Sequence, residues 1–273
     1  GSDGVDSNPK SGPIVTWSQF AVQMVDIMSA MYHMLKEEIP RKLHIDGERL
    51  SALKIWIHML KKYAPGTTPI RRLFYRLDEW LQMQSVGITS DQWIEKVDSV
   101  QSELGNPLPS NMTWLACRGS KPYLRGYTCG LWTLMHVATV SARNLEYNNP
   151  SFNVVNEVVE PIHQFIWRFL SCEICGKHFH TYYTKTDLNA ISRPEHGILW
   201  LWKAHNIANK VLAKQPSDDP SFPKQQFPPM HLCPSCWSNG KFVEGEVLNF
   251  LLSYYANIRS DGLQPAPEYT LTE

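Results

Sequence analysis

No cysteine occurs in the first 116 residues of this 273-residue chain; all 6 fall between Cys117 and Cys236. A chain of this length can bury two modest cores at roughly 100–150 residues each, so neither half needs a staple merely to fold. An excess of one charge is missing too. The 26 basic residues face 26 acidic ones with no basic tract, which removes the surplus of cations a phosphate-neutralising groove requires. Nucleic acid is therefore not an expected partner. The longest apolar runs, such as Ile198 to Trp202, fall well short of the roughly 20 residues that carry a helix across a bilayer. The alternation that marks half-buried strands is nearly absent. So is any G-x-G-x-x-G motif in a strand–turn–helix setting, which excludes a Rossmann site for a dinucleotide. Gly1-Ser2 reads as a remnant of cloning and no signal peptide follows it, so further chain is expected upstream.

What the chain does have is helical periodicity. Residues 1–13, rich in Gly, Ser, Asp and Pro, read as a linker. Trp17, Phe20, Met24, Ile27, Met28, Met31 and Leu35 then recur at three- and four-residue steps, which places them on one helical face. Leu50, Leu53, Trp56, Met59, Leu60 and Tyr63 repeat the pattern. Thr68-Pro69 opens a third helix through Leu73, Phe74, Leu77 and Leu81, and Ser90-Asp91 a fourth carrying Trp93, Val97 and Val100. Residues 14–104 are thus expected to form a helical bundle without a cofactor, its methionines and tryptophans being core. A loop-like stretch, 105–128, follows with Pro107, Pro109, Gly119, Pro122 and Gly126. Helices are then expected at about 130–146, 153–170, 172–184, 196–214 and 244–257, with 259–273 as a tail. The chain is read as all-α: two packed helical bundles, 14–104 and 105–258. No internal repeat is clear, although two bundles of similar helix size leave an old duplication open.

The cysteines come as pairs. Cys172-Glu173-Ile174-Cys175 sets two thiols on the first turn of a helix, where backbone N–H groups favour thiolate over thiol and make a nucleophile near neutral pH. Cys233-Pro234-Ser235-Cys236 is a second C-x-x-C. Two such motifs invite zinc, but 57 residues intervene between Cys175 and Cys233, whereas compact zinc ribbons close over roughly 15–20. Cys117 and Cys129 would be left over. Structural zinc, inert disulfides and redox chemistry all remain open on spacing alone. The even cysteine count and the sequon Asn111-Met112-Thr113 favour an oxidising compartment, the secretory pathway or the extracellular space, over the cytosol.

A further pattern lies in the helix around 196–214. Trp202, His205, Asn206 and Asn209 stand at i, i+3, i+4 and i+7 and share one stripe. An aromatic slab, an imidazole and two carboxamides suit a heteroaromatic ligand, offering stacking and hydrogen bonds to ring nitrogens. Trp132 and His136, at i and i+4, face one way on the helix after Cys129.

At these residues the chain resembles the Erv/ALR family of small helical FAD-dependent sulfhydryl oxidases, and within it the quiescin-type members. The resemblance runs through Cys117-Arg118-Gly119-Ser120-Lys121-Pro122, Arg125-Gly126, Cys129-Gly130-Leu131-Trp132 and His136. It continues with Cys172-x-x-Cys175 and His178-Phe179, then Trp202-x-x-His205-Asn206-x-x-Asn209, and then Phe222-Pro223-Lys224 to Cys233-x-x-Cys236, covering about 117–255. It implies a five-helix FAD-binding domain stapled by disulfides Cys117–Cys129 and Cys233–Cys236, with no metal. FAD contacts are implied for Arg125, Trp132, His136, His178, Trp202, His205, Asn206, Asn209 and Lys224. Ile174 stands where an acidic residue often meets the flavin, and Phe227 where tryptophan is frequent. Cys172 is implied as the outer redox thiol and Cys175 as the flavin-proximal one, passing electrons from thiol substrates to oxygen. The same resemblance implies that 14–104 is a flavin-less copy of the bundle, packed where a homodimer partner would sit, so that the chain is a monomer. It also implies a thioredoxin-like domain upstream that relays protein dithiols. The rival reading is a zinc-stabilised interaction module without enzymatic activity.

Overall fold

The computed structural model describes residues 20–260. Trp17, the linker 1–13 and the tail from 261 onward lie outside the described residues. The first half runs from β1 (Val22–Gln23) into α1 (Met24–His33), a one-turn π-helix (Met34–Glu38) and a 3-10 turn (Ile39–Arg41). After β2 (His44–Asp46) come α2 (Gly47–Tyr63), α3 (Thr68–Gln82), β3 (Gly87–Thr89) and α4 (Ser90–Glu103). Thr89 caps α4 through a reciprocal box: its hydroxyl accepts from the Gln92 amide at 3.2 Å, and the Gln92 side chain accepts from the Thr89 amide at 2.9 Å. The second half contains α5 (Gly126–Glu146), a π turn (Val155–Val159), α6 (Glu160–Phe169), α7 (Glu173–Thr184), α8 (Pro194–Leu212) and α9 (Glu244–Tyr254).

Strands are present where the sequence showed no alternation, because they are too short to display a period of two. β2 pairs antiparallel with β3, and β4 (Trp237–Ser238) with β5 (Lys241–Phe242). β6 (Ile258–Arg259) pairs parallel with β1, joining the two ends of the described chain, so the tail expected from 259 begins inside a strand.

The apolar core is continuous across the expected boundary near 104, and one buried cluster runs from Val22 to Tyr255. Helix α1 lies along α5, and α2 packs on α5 and α6. Trp56 of α2 stacks on Phe165 of α6 with ring centroids 4.2 Å apart, both rings fully buried. Truncating an aromatic at such a position typically costs about 3–5 kcal/mol. Gly130 allows the close approach of α1 to α5: a Cβ there would lie 2.9 Å from the Ala30 Cβ and 3.0 Å from the Asp26 carbonyl.

Helix α1 also organises the loop that leads to α5. The Asp26 carboxylate accepts from the backbone amides of Leu115 at 2.7 Å, Ala116 at 3.0 Å and Cys117 at 3.3 Å. Ser29 brackets Thr113, accepting from its amide and donating to its carbonyl. A loop of prolines and glycines is thereby fastened to the cysteine-free half, which fixes where Cys117 meets Cys129.

Candidate active site

Cys172 and Cys175 form a disulfide at the start of α7. Cys172 is the residue before the helix, and its Sγ accepts from the Cys175 amide at 3.3 Å. The two sulfurs are not equivalent: Cys172 is exposed, Cys175 half-buried. Helix α7 is seated closely on α6, since a Cβ on Gly176 would come within 2.9 Å of the Ile166 carbonyl oxygen. Cys117–Cys129 and Cys233–Cys236 are also disulfides, and Cys117, Cys233 and Cys236 are buried. With each C-x-x-C closed on itself, the four thiolates of a shared zinc site are not available together, and the module reading is not favoured.

One helix over, α5 and α8 bring three rings together. Trp132 stacks on His205 at 4.1 Å between centroids and 2° between planes. His136 Nε2 and His205 Nδ1 are 2.8 Å apart, and Tyr255 covers His136 from the other side at 4.7 Å. Burial pushes both imidazoles down, His205 to about 3 with nearby Lys224 acting the same way, so the pair is neutral at physiological pH. His136 Nδ1 is buried without a hydrogen-bond partner among the described residues. Phe179 of α7 reaches Trp132 at 6.3 Å, linking the redox helix to the ring cluster.

The rest of the α8 stripe turns to a different task. Asn206 Oδ1 accepts from the Phe227 amide at 2.8 Å, and its Nδ2 donates to the Phe227 carbonyl at 3.0 Å. Trp202 Nε1 donates to the same carbonyl at 2.6 Å, and Asn209 Nδ2 donates to the Gln225 carbonyl at 2.9 Å. These three side chains hold residues 225–227 against α8, and Phe227 in turn packs on Phe250 and Tyr254. Their place on one face follows from the spacing; the loop that occupies their polar groups does not.

Arg125 has a left-handed backbone at φ 63° and donates Nη1 to the carbonyls of Ala116 and Arg118, both at 2.8 Å. Its guanidinium lies 4.4 Å over the Phe222 ring. Asp219 caps Ser120, accepting from its amide and hydroxyl at 2.7 Å; burial acts upward on this carboxyl, but those bonds hold it below the usual range. Burial lowers the Lys224 ammonium, with Arg125 adding to the fall. Among the described residues, neither Arg125 nor Lys224 forms an ion pair within 4.0 Å, although Asp219 acts on both cations from farther off. His178 and Ile174 sit on the exposed side of α7 and are not drawn into the ring cluster.

This donor set fits FAD. An unspent polar atom on buried His136, a neutral imidazole pair and the Trp132 slab meet the needs of planar nitrogenous rings. Arg125, held in place by the Ala116 and Arg118 carbonyls, and Lys224 supply the cations a diphosphate needs.

Comparison with known proteins points the same way. A family model described as flavin adenine dinucleotide (FAD)-dependent sulfhydryl oxidase matches residues 18–120, and that of the Erv1 / Alr family matches 129–228. A solved structure, the sulfhydryl oxidase fragment of human QSOX1, superposes with a TM-score of 0.80 at 32% identity, covering 89% of this chain and 99% of that one. The chain belongs to the Erv/ALR family of FAD-dependent sulfhydryl oxidases. Sulfhydryl oxidase 1 of Gallus gallus is 34% identical over 263 residues, which is 90% of this chain and 34% of the relative. Sulfhydryl oxidase 2 of Homo sapiens is 33% identical over 261 residues, 90% of this chain and 37% of the relative. The chain therefore spans about a third of the length of these curated relatives.

Within this Erv/ALR chain, several partners of the site were invisible in the sequence. Tyr255 and Phe179 frame the rings, and Glu38 reaches the redox turn from the cysteine-free half. Phe179 was visible as part of the redox motif with His178 but not as a neighbour of Trp132, and Tyr255 and Glu38 carried no signal. A second imidazole pair, His163 Nε2 to His180 Nδ1 at 2.7 Å, ties α6 to α7 between Tyr183 and Trp167.

Proposed function

We propose that this chain is a thiol oxidase that withdraws two electrons from a dithiol at Cys172/Cys175 and passes them by way of FAD to oxygen. The observation that carries the reading is the asymmetry of the pair: an exposed sulfur for attack, a half-buried one behind it, both at a helix N-terminus. A substrate thiolate attacks Cys172 Sγ, forming a mixed disulfide and releasing Cys175 as thiolate. The substrate's second thiolate then displaces Cys172, so substrate leaves as a disulfide and the pair holds two electrons as a dithiol. The N-terminus of α7 stabilises the released thiolate, and a low leaving-group pKa speeds exchange. FAD, when bound, supplies the two-electron acceptor that re-oxidises the pair and delivers those electrons to oxygen as hydrogen peroxide. Trp132, His136 and His205 would hold a ring of the cofactor, and Arg125 and Lys224 its diphosphate. Trp202, Asn206 and Asn209 act indirectly by fixing the 225–227 loop that closes this side.

The cysteine-free half supports a monomeric reading, with α1 packed along α5 where a second copy would otherwise lie. Three disulfides and an exposed Asn111 in its sequon support an oxidising compartment, the secretory pathway or the extracellular space. An upstream thioredoxin-like domain would deliver protein dithiols to Cys172.

One visible absorption scan and one oxygen-electrode trace test this. A flavin spectrum near one per chain, with dithiothreitol-dependent oxygen uptake and peroxide release, is expected. A colourless protein that takes up no oxygen sinks the proposal. Light scattering checks the monomer, and a mass shift on glycosidase treatment of secreted protein checks the compartment.

A further inference from the structure

The seam between the cysteine-free half and α6/α7 holds a polar furrow that the reaction just described leaves unused. One hollow of about 650 Å³ lies between α2 and α6, walled by Glu48, Ser51, Lys54, Glu160 and Gln164. A second, of about 380 Å³, is walled by Lys42, Arg49, Trp167 and Lys177. Arg168 walls both, which makes them neighbours in one furrow. The smaller hollow is also bounded by Leu170 and Glu173. These two residues bracket Ser171-Cys172 in the chain, so the furrow ends at the segment that carries the exposed cysteine of the redox pair.

Its charge is uneven at that end. Lys42, Arg49, Arg168 and Lys177 line it against two carboxylates, Asp46 and Glu173, with Glu48 of the adjoining hollow reaching Arg168. Arg168 is engaged, bridging to Glu48 at 3.0 Å and lying 4.1 Å over the Trp167 ring. Arg49 donates to the His44 carbonyl at 3.0 Å, and Lys42 and Lys177 make no ion pair among the described residues. Two open hollows side by side, lined largely by polar and charged side chains, suit an extended chain rather than an enclosed small molecule. The furrow's spare cations sit where an approaching thiolate and acidic neighbours gain most from steering.

We propose that this furrow docks an extended, acidic stretch of a dithiol polypeptide, with Lys42 and Arg49 of the cysteine-free half selecting which polypeptide thiols reach Cys172. The proposal rests on the thiol-oxidase reading for its chemistry, which is the exchange already written: the polypeptide loses two electrons as its thiols join, and Cys172–Cys175 gains them. It assigns the half without cysteines a role in substrate choice.

Two arms test it. In the first, labelled synthetic peptides with both cysteines replaced by serine, flanked by glutamates or by lysines, are titrated against the flavin-loaded protein by fluorescence anisotropy. The glutamate peptide is expected to bind at least about tenfold tighter, the gap closing in high salt and in the Lys42→Glu/Arg49→Glu variant. In the second, kcat/KM is measured for the reduced cysteine-containing peptides and for dithiothreitol. The double variant should lose about tenfold on the glutamate peptide while dithiothreitol changes by less than about twofold. Equal binding of the two peptides, or equal losses on peptide and dithiothreitol, overturns the docking proposal. Failure of the unmodified protein to oxidise dithiothreitol instead sinks the oxidase reading, and the binding arm still decides the furrow.

Discussion

Tyr127 of α5 donates its hydroxyl to Glu38 at 2.6 Å, across the seam between the two halves. Glu38 sits at the end of the π turn after α1, is 1% exposed, and leaves Oε2 without a well-formed hydrogen bond among the described residues, although the Ser171 amide acts on the carboxylate. Burial pushes its carboxyl from 4.5 up to about 7.

This carboxyl makes stability depend on pH in a definite direction. The folded state holds the Glu38 proton to about pH 7 and the unfolded state releases it near 4.5. Its contribution is thus complete below 4.5 and is lost as pH rises through 7, a change of about 3 kcal/mol. Glu38→Gln should flatten that dependence and be the more stable protein at pH 8. Denaturant unfolding of both proteins at pH 5 and pH 8 measures it; parallel pH curves would contradict the assignment.

Glu38 also shows where the sequence stops being informative. The periodicity from Phe20 to Leu35 announces a helix, but a π turn over Met34–Glu38 shifts the register at its end, and Tyr127 lies 89 residues from Glu38. The helices α2, α3, α4 and α8 were readable because apolar residues at three- and four-residue steps must share a buried face. The stripe on α8 was readable as a face but not as a set of partners. A stripe about 100° wide touches two neighbours, and here His205 meets the α5 rings while Trp202, Asn206 and Asn209 meet a loop. The strands of two or three residues carry no period at all, and the furrow beside Cys172 arises only from the docking of two halves.

The two redox cysteines should separate on substitution. Cys175→Ser leaves Cys172 without its disulfide partner, so flavin is retained and thiol-dependent oxygen uptake falls to background. Under the proposed thiol-oxidase reading, Cys172→Ser frees the half-buried Cys175 as a thiolate facing the flavin, so a broad long-wavelength absorbance should appear beside the flavin bands and bleach on acidification. Turnover surviving in both variants would remove the catalytic assignment.

His205→Ala removes the ring that stacks on Trp132 and the partner of His136 Nε2 at 2.8 Å. A buried His136 would then have neither nitrogen satisfied within the described residues, and an unsatisfied buried polar group costs about 1–3 kcal/mol. If that cost falls on cofactor binding, flavin should dissociate about tenfold or more faster during gel filtration. The fold should survive, because Asn206 and Trp202 still hold the 225–227 loop; unchanged circular dichroism with unchanged flavin retention would count against the cofactor role.

Gly176 offers a test of how tightly the redox helix is seated. A Cβ added there meets the Ile166 carbonyl oxygen at 2.9 Å and the Trp167 carbonyl oxygen at 3.1 Å. Both are backbone atoms of α6, which cannot step aside as a flexible side chain would. Gly176→Ala must therefore push the first turn of α7 outward, at a cost of about 1–3 kcal/mol typical of overpacking. Because Cys175 is the preceding residue, the sulfurs move with that turn. The variant should lose thermal stability and lose more turnover than flavin. Gly245→Ala in α9 is the control, since none of the described residues lies within 4 Å of its added Cβ, and alanine favours a helix by about 0.5–1 kcal/mol. Equal melting temperatures for the two variants would mean that α7 is seated loosely and that the half-buried position of Cys175 is not held by this contact.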